Sequence, residues 1–175
     1  TGGHYAVGGS SPLIVTGLTN GQTYTFTVTA TNAVGTSTAS ASSNSIVPIT
    51  IPDAPTIGTA TAGNGEATIT FSAPSSNGGS AITYYTVTSN TGGHFATGGS
   101  SPITVTGLTN GQTYTFTVTA TNAAGTSSAS ATTNSVTPAT VAGAPTNVVA
   151  TIGNGQATIT FDAPSSNGGS AITYY

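Results

Sequence analysis

The chain has no lysine, arginine, cysteine, methionine or tryptophan. Each absence excludes something. Without a cationic side chain nothing neutralises phosphates, so nucleic-acid binding is excluded. Attraction to an anionic membrane surface goes with it. Arginine anchors, frequent at interface hot spots, are missing, and so are Lys and Arg surface ion pairs, which contribute little in any case. A protease that cuts after Lys or Arg finds no target, even in the unfolded chain. A protein exposed outside the cell gains from that, and drift in a Thr/Ser-rich repeat explains it equally well. Without cysteine there are no disulfides, the redox compartment stays undecided, and each domain stands on its apolar core alone. No run of about 18 apolar residues is present, so no membrane-spanning helix and no membrane insertion are expected. No secretory leader is visible. Thr1 opens in mid-phrase, which leaves room for a leader or an anchor upstream.

What remains is 175 residues with three acids, two histidines, 24 glycines and nine prolines. A hydrophobic fraction of 35% resembles a disordered composition. The apolar residues, however, are β-branched and aromatic and alternate with threonine, the pattern of strands.

The chain repeats itself. "TGGHYAVGGSSPLIVTGLTNGQTYTFTVTATNAVG" begins at Thr1 and "TGGHFATGGSSPITVTGLTNGQTYTFTVTATNAAG" at Thr91, a period of 90 residues. That is too long for a solenoid repeat and suits a whole small domain in tandem. The Pro-bearing stretches "VPITIPDAP" (47–55) and "TPATVAGAP" (137–145) mark the boundaries. Residues 54–138 are expected to form one complete domain, with 1–48 the back part of a preceding one and 144–175 the front part of a following one. The terminal "NGGSAITYY" also occurs at 77–85, where "TVTSN" (86–90) follows it. The chain therefore reads as a window on a longer array.

Within the complete domain, "EATITF" puts Ala67, Ile69 and Phe71 on one face and Thr68 and Thr70 on the other. "YTFTVTATN" puts Tyr114, Phe116, Val118 and Ala120 inward and threonines outward. Threonine suits a strand with one wet face. Further strands are expected at 81–89, 101–108 and, Ser/Ala-rich, near 128–137. "GNG" (63–65), "SNGGS" (76–80) and "TNGQ" (109–112) are turns whose Asn and Gly suit positive φ. About seven short strands in some 90 residues, with no helical period, predict an all-β sandwich.

"GLTNGQTYTFTVTATNAAG" resembles the E–F corner and strand F of a fibronectin type III domain. Leu108 precedes Tyr114 by six residues, the spacing of that family's tyrosine corner, and Leu18 and Tyr24 repeat it. "ATITFSAPSSNGGSAITYYTV" is similar to the family's strand B, proline loop and strand C. Phe71 and Phe161 stand where the family usually buries a Trp, at some cost in core area. The resemblance implies tandem immunoglobulin-like (fibronectin type III) β-sandwiches. It also implies a Tyr85 that faces inward, leaving Tyr84 and Tyr174 on the outer face.

No catalytic constellation is present: no G-x-S-x-G, no Lys for a phosphate loop, no cofactor fingerprint. The chain is therefore expected not to be an enzyme and to need no cofactor. His4 and His94 share a place in the two repeats, but a metal needs several ligands together, so an exposed loop or edge-strand histidine is the plainer reading. Asp53, Glu66 and Asp162 are replaced across the repeat by Gly143, Gln156 and Ser72, which argues against a calcium site at each junction. An exposed tyrosine among threonines serves as a packing anchor, as a sugar-stacking platform or, most often, as a plain cross-strand neighbour. Tyr84, Tyr174, His4 and His94 are the candidate assembly or ligand contacts.

The function expected is structural. The chain would be a repeat unit of a bacterial extracellular or cell-surface filament, stalk or spacer, completed head-to-tail by the next unit. The alternatives are adhesin or carbohydrate-binding accessory modules, or spacers of a secreted hydrolase. The partners expected are the chain itself and a polysaccharide or cell-surface ligand. Without Lys gatekeepers at its strand edges, lateral bundling is expected as well.

Overall fold

The computed structural model describes residues 3–175. The Thr-alternating stretches become strands in chain order. These are β1 (Thr56–Ala62), β2 (Glu66–Ser72), β3 (Tyr84–Ser89), β4 (Phe95–Gly98), β5 (Ile103–Thr106), β6 (Phe116–Asn122), β7 (Gly125–Thr126), β8 (Thr146–Ile152) and β9 (Ala157–Asp162). One sheet has the order β1-β2-β5 and a second the order β4-β3-β6-β7, with all pairs antiparallel. The pair β8-β9 stands in the same register as β1-β2, with Ile152 opposite Ala157 as Ala62 is opposite Ala67.

The two sheets enclose one core. Ala67 and Ile69 come from β2, Val87 from β3, Val105 from β5, and Phe116, Val118 and Ala120 from β6; all are fully buried. This is the period-2 alternation made physical, since successive side chains of a strand face opposite sides of its sheet. Phe71 is buried against Tyr85, ring centroids 4.8 Å apart and tilted by 52°. A phenylalanine and a tyrosine thus fill the place that the resemblance assigns to tryptophan.

On the wet faces the threonines pair with one another. Hydroxyls of Thr68 and Thr104 meet at 3.0 Å, those of Thr121 and Thr126 at 2.9 Å, and those of Thr59 and Thr70 at 3.2 Å. Cross-strand hydroxyl pairs here take the place that charged pairs hold on many sheets.

Strand limits are tighter than the alternation predicts. The expected strand 81–89 begins at Tyr84 and 101–108 shrinks to Ile103–Thr106. Tyr114 lies outside β6 and makes an isolated bridge to Val136. The correction at the last strand is larger. Residues 127–136 form no regular ladder. Instead Ser127, Ser130, Thr133 and Val136 donate their backbone N–H to the carbonyls of Ala120, Val118, Phe116 and Tyr114, at 2.8–3.0 Å. Three residues of this segment span what two residues of β6 span. The β6 N–H groups lose their usual backbone acceptors, and side chains replace them. Ala120, Val118 and Phe116 donate to Ser127 Oγ, Ser130 Oγ and Thr133 Oγ1 at 3.0–3.1 Å. Ser127 and Ser130 pass the chain on by donating to the carbonyls of Ser128 and Ala131, both at 2.7 Å. Buried N–H groups must find partners, and a hydroxyl at every third position supplies them. The first repeat does the same, with Ser37, Ser40 and Ser43 set against Ala30, Val28 and Phe26.

The flanking segments expose the faces that the complete sandwich hides. Val28 is 63% exposed and its counterpart Val118 fully buried; Ile159 is 52% exposed and its counterpart Ile69 fully buried. Tyr175 is likewise exposed where Tyr85 is buried.

Candidate inter-domain interface

The Asn/Gly turns do more than reverse the chain. The stretch 47–55 runs past the turn 76–80, and the two bond through backbone. Thr50 N donates to Gly78 O at 2.9 Å and Asp53 N to Ser76 O at 3.0 Å, while Gly21 N of the preceding segment donates to Pro48 O at 2.9 Å. The next boundary repeats this, with Thr140 N to Gly168 O at 2.8 Å, Gly143 N to Ser166 O at 2.9 Å and Gly111 N to Pro138 O at 2.8 Å. Gly143 keeps the backbone bond of Asp53 but not its carboxylate, which accepts from Ser75 Oγ at 2.7 Å.

The approach is so close that only glycine fits. A Cβ on Gly79 would lie 2.3 Å from Gly21 N, and one on Gly169 would lie 2.4 Å from Gly111 N. Both glycines also have positive φ, 83° and 89°, where a side chain is strained. At each boundary, therefore, backbone meets backbone.

Asn122, at the end of β6, fastens the first boundary. Its Nδ2 donates to Thr50 O at 2.8 Å and to Asn77 O at 2.7 Å. Its Oδ1 accepts from Ala124 N at 2.8 Å and Gly125 N at 3.2 Å. The side chain is buried with every polar atom satisfied. Asn32, its counterpart, accepts from Val34 N and Gly35 N in the same way.

The residues singled out from sequence take separate places. Tyr114 Oη accepts from Thr109 N at 3.1 Å, and Tyr24 Oη from Thr19 N at 3.0 Å. Leu108 is buried beneath that corner, and Leu18 is half-buried. His94 stands just before the edge strand β4. It stands edge-on to Tyr114 at 5.8 Å, as His4 stands to Tyr24, and is half-buried. Tyr84 lies opposite Thr121 and is 43% exposed, and Tyr174 is exposed. The structure gathers none of these into one cluster. Among the described residues no group of three or more His, Cys, Asp or Glu could hold a metal ion, and no helix is long and apolar enough to cross a membrane. Sequence reasoning missed Asn122 and the boundary role of "NGG". The signal present was their recurrence at the 90-residue period.

Two sheets of this order, closed by a tyrosine corner, define the fold, and residues 53–136 match the fibronectin type III domain family. The sandwich over residues 53–136 has the fibronectin type III fold. Residues 102–174 also match the family described as the T-Q ester bond containing domain. The glutamines of that stretch, Gln112 and Gln156, are both exposed.

Among solved structures the chain is similar to domains A168–A170 of titin, with 23% identity and a TM-score of 0.53, over 78% of this chain and 49% of that one. It is also similar to domains d3–d4 of the rat CD45 extracellular region, with 14% identity and a TM-score of 0.55, over 78% and 76% of the two chains. At these identities the likeness is one of fold. The region of titin kinase and its flanking domains matches at 26% identity with a TM-score of 0.46; the match covers 51% of this chain and only 17% of that one. No curated protein matches the chain.

Proposed function

We propose that the chain is a repeat unit of an extracellular filament, stalk or spacer, in which each fibronectin type III domain docks on the one before by the same backbone contact. One observation carries this reading. The contacts at Gly21/Gly79 recur at Gly111/Gly169, 90 residues on. A contact repeated without change imposes the same step at each boundary, and equal steps generate an extended, regular array. The flanking segments fit the same scheme. Segment 1–48 carries the counterparts of β4, β5 and β6, and segment 144–175 carries those of β1 and β2. Their exposed apolar faces are mates, so the front segment of one unit completes the back segment of the next. The function is mechanical reach: small cores resist pulling, and hydrogen-bonded boundaries hold the spacing.

Electron microscopy of the purified protein, with its mass under denaturing conditions, tests this. Filaments with a repeat of roughly 35 Å per domain are the expected result. A denatured mass many times 16.8 kDa marks a covalent array, and 16.8 kDa chains mark units completed by strand exchange. Isolated compact particles would overturn the filament.

A further inference from the structure

The two outer faces of the complete sandwich differ. On the three-stranded sheet the threonine hydroxyls pair with one another, Thr68 with Thr104 and Thr59 with Thr70. No aromatic side chain is exposed there, and Glu66 adds a carboxylate. On the four-stranded sheet the register sets Tyr84, Thr86 and Thr88 of β3 beside Phe95 and Thr97 of β4 and Thr119 of β6. These side chains share the outer face, because Tyr85 and Val87 between them are buried in the core. Phe95 is 68% exposed and Tyr84 43%. Among the described residues the hydroxyls of Thr86, Thr88, Thr97 and Thr119 have no hydrogen-bond partner, and none is a buried orphan, so all four open to solvent. No charged residue lies on β3, β4 or β6.

The chemistry of this face selects a class of ligand. An aromatic ring takes the C–H face of a sugar ring without any charge. A free threonine hydroxyl both donates to and accepts from a sugar hydroxyl. With no cation in the chain, nothing on the face holds an anionic polymer. Tyr84 and Thr88 lie about 13 Å apart along β3, and Phe95, opposite Thr88, is about 4.8 Å further across. That distance spans about three to four sugar rings laid end to end along the strand. We propose that the outer face of β3 and β4 binds an uncharged, extended, β-linked glycan of the cellulose or chitin type. Its outer rings stack on Tyr84 and Phe95, and the hydroxyls between them bond to Thr86, Thr88, Thr97 and Thr119. The repeat keeps both aromatic places, with Tyr5 at that of Phe95 and Tyr174 at that of Tyr84. One consequence rests on the array proposed above: the site then returns every 90 residues, and weak contacts along one glycan act together.

The test is titration of the isotope-labelled full chain with cellohexaose and with chitohexaose, followed by amide NMR. At least one sugar is expected to shift the amides of Tyr84, Thr86, Phe95 and Thr97 to saturation, and to leave Thr68 and Thr104 of the opposite sheet unmoved. Tyr84→Ala and Phe95→Ala are each expected to weaken binding roughly two- to tenfold, while unchanged amides at Ile69 and Val105 report an intact core. The proposal is overturned if neither sugar shifts these amides, or if the shifts fall on the opposite sheet. It is also overturned if both variants, with the core intact, bind as the parent does. Shifts of the same amides on raising the protein concentration alone would assign the face to a second copy of the chain instead. If a variant loses its core, the map of shifts in the unmutated chain decides. The titration reads one chain at a time, so a negative result leaves the filament standing, and a failed filament leaves the titration valid.

Discussion

Replacing Asn122 with alanine removes four hydrogen bonds from a buried position, two to carbonyls of Thr50 and Asn77 and two from the amides of Ala124 and Gly125. A net contribution of about 1 kcal/mol per bond sets an upper figure near 4 kcal/mol. Part is recovered, because water reaches Thr50 O once the linker lifts away. We expect a loss of about 2–4 kcal/mol, equivalent to a fall in Tm of some 4–8 °C per kcal/mol for a domain of this size. Asn90 within the same domain supplies a control. It is exposed, so Asn90→Ala should cost no more than about 0.5 kcal/mol. Urea unfolding followed by far-ultraviolet circular dichroism measures both. If Asn122→Ala lies within about 0.5 kcal/mol of Asn90→Ala, the side chain does not fasten the linker, and the claim that this boundary is held in place fails.

Other perturbations separate the remaining devices. Thr133→Val keeps the shape of the side chain but strips Phe116 N of its acceptor, so a loss of about 1–3 kcal/mol is expected in urea unfolding; a neutral result would mean that water replaces the hydroxyl. Gly79→Ala forces a Cβ toward Gly21 N at a positive φ and should cost about 1–3 kcal/mol. Amide exchange by NMR should then speed up at Gly21 and Thr50, whereas Gly99→Ala, with nothing within 4 Å, leaves both amides protected. Tyr114→Phe removes the acceptor of Thr109 N and should destabilise the domain by about 1–2 kcal/mol, read from the shift in the urea midpoint with an unchanged slope.

The sandwich was legible because its signal is periodic and dense. "TITF" and "TFTVTAT" alternate so regularly that Ile69, Phe71, Phe116 and Val118 could be assigned to the core directly. The adjacent pair Tyr84–Tyr85 could be split because a strand must send neighbours to opposite faces. The last strand was misread because its period is three, which belongs to neither a regular strand nor an α-helix. "SSASATTNSV" looks like a weak strand until its hydroxyls are seen as acceptors for β6. The boundary was illegible for a different reason. Asn122 meets Thr50 and Asn77 across 72 and 45 residues, and an asparagine at a strand end reads as a stop signal. The edge-on packing of the histidines on Tyr24 and Tyr114 was illegible because aromatic packing leaves no mark in spacing. The repeat did carry one hidden clue. "NGG" is kept in full at 77–79 and 167–169, whereas the one acid of the linker, Asp53, is not kept.

The segment that winds three residues along two of β6 also changes what a neighbouring molecule meets. A sheet recruits a further strand as a zip fastener does, by offering teeth at a matching pitch. On this border the pitch is wrong: an incoming extended chain advances about 6.6 Å every two residues, while the border supplies three residues over that length. The usual guards against such recruitment are lysines, prolines and bulges, and the chain has no lysine to spend. Here the guard is a thread cut to a different gauge, written in serines that carry no charge. A protein without lysine or arginine can thus keep one flank of its sheets from recruiting a further strand.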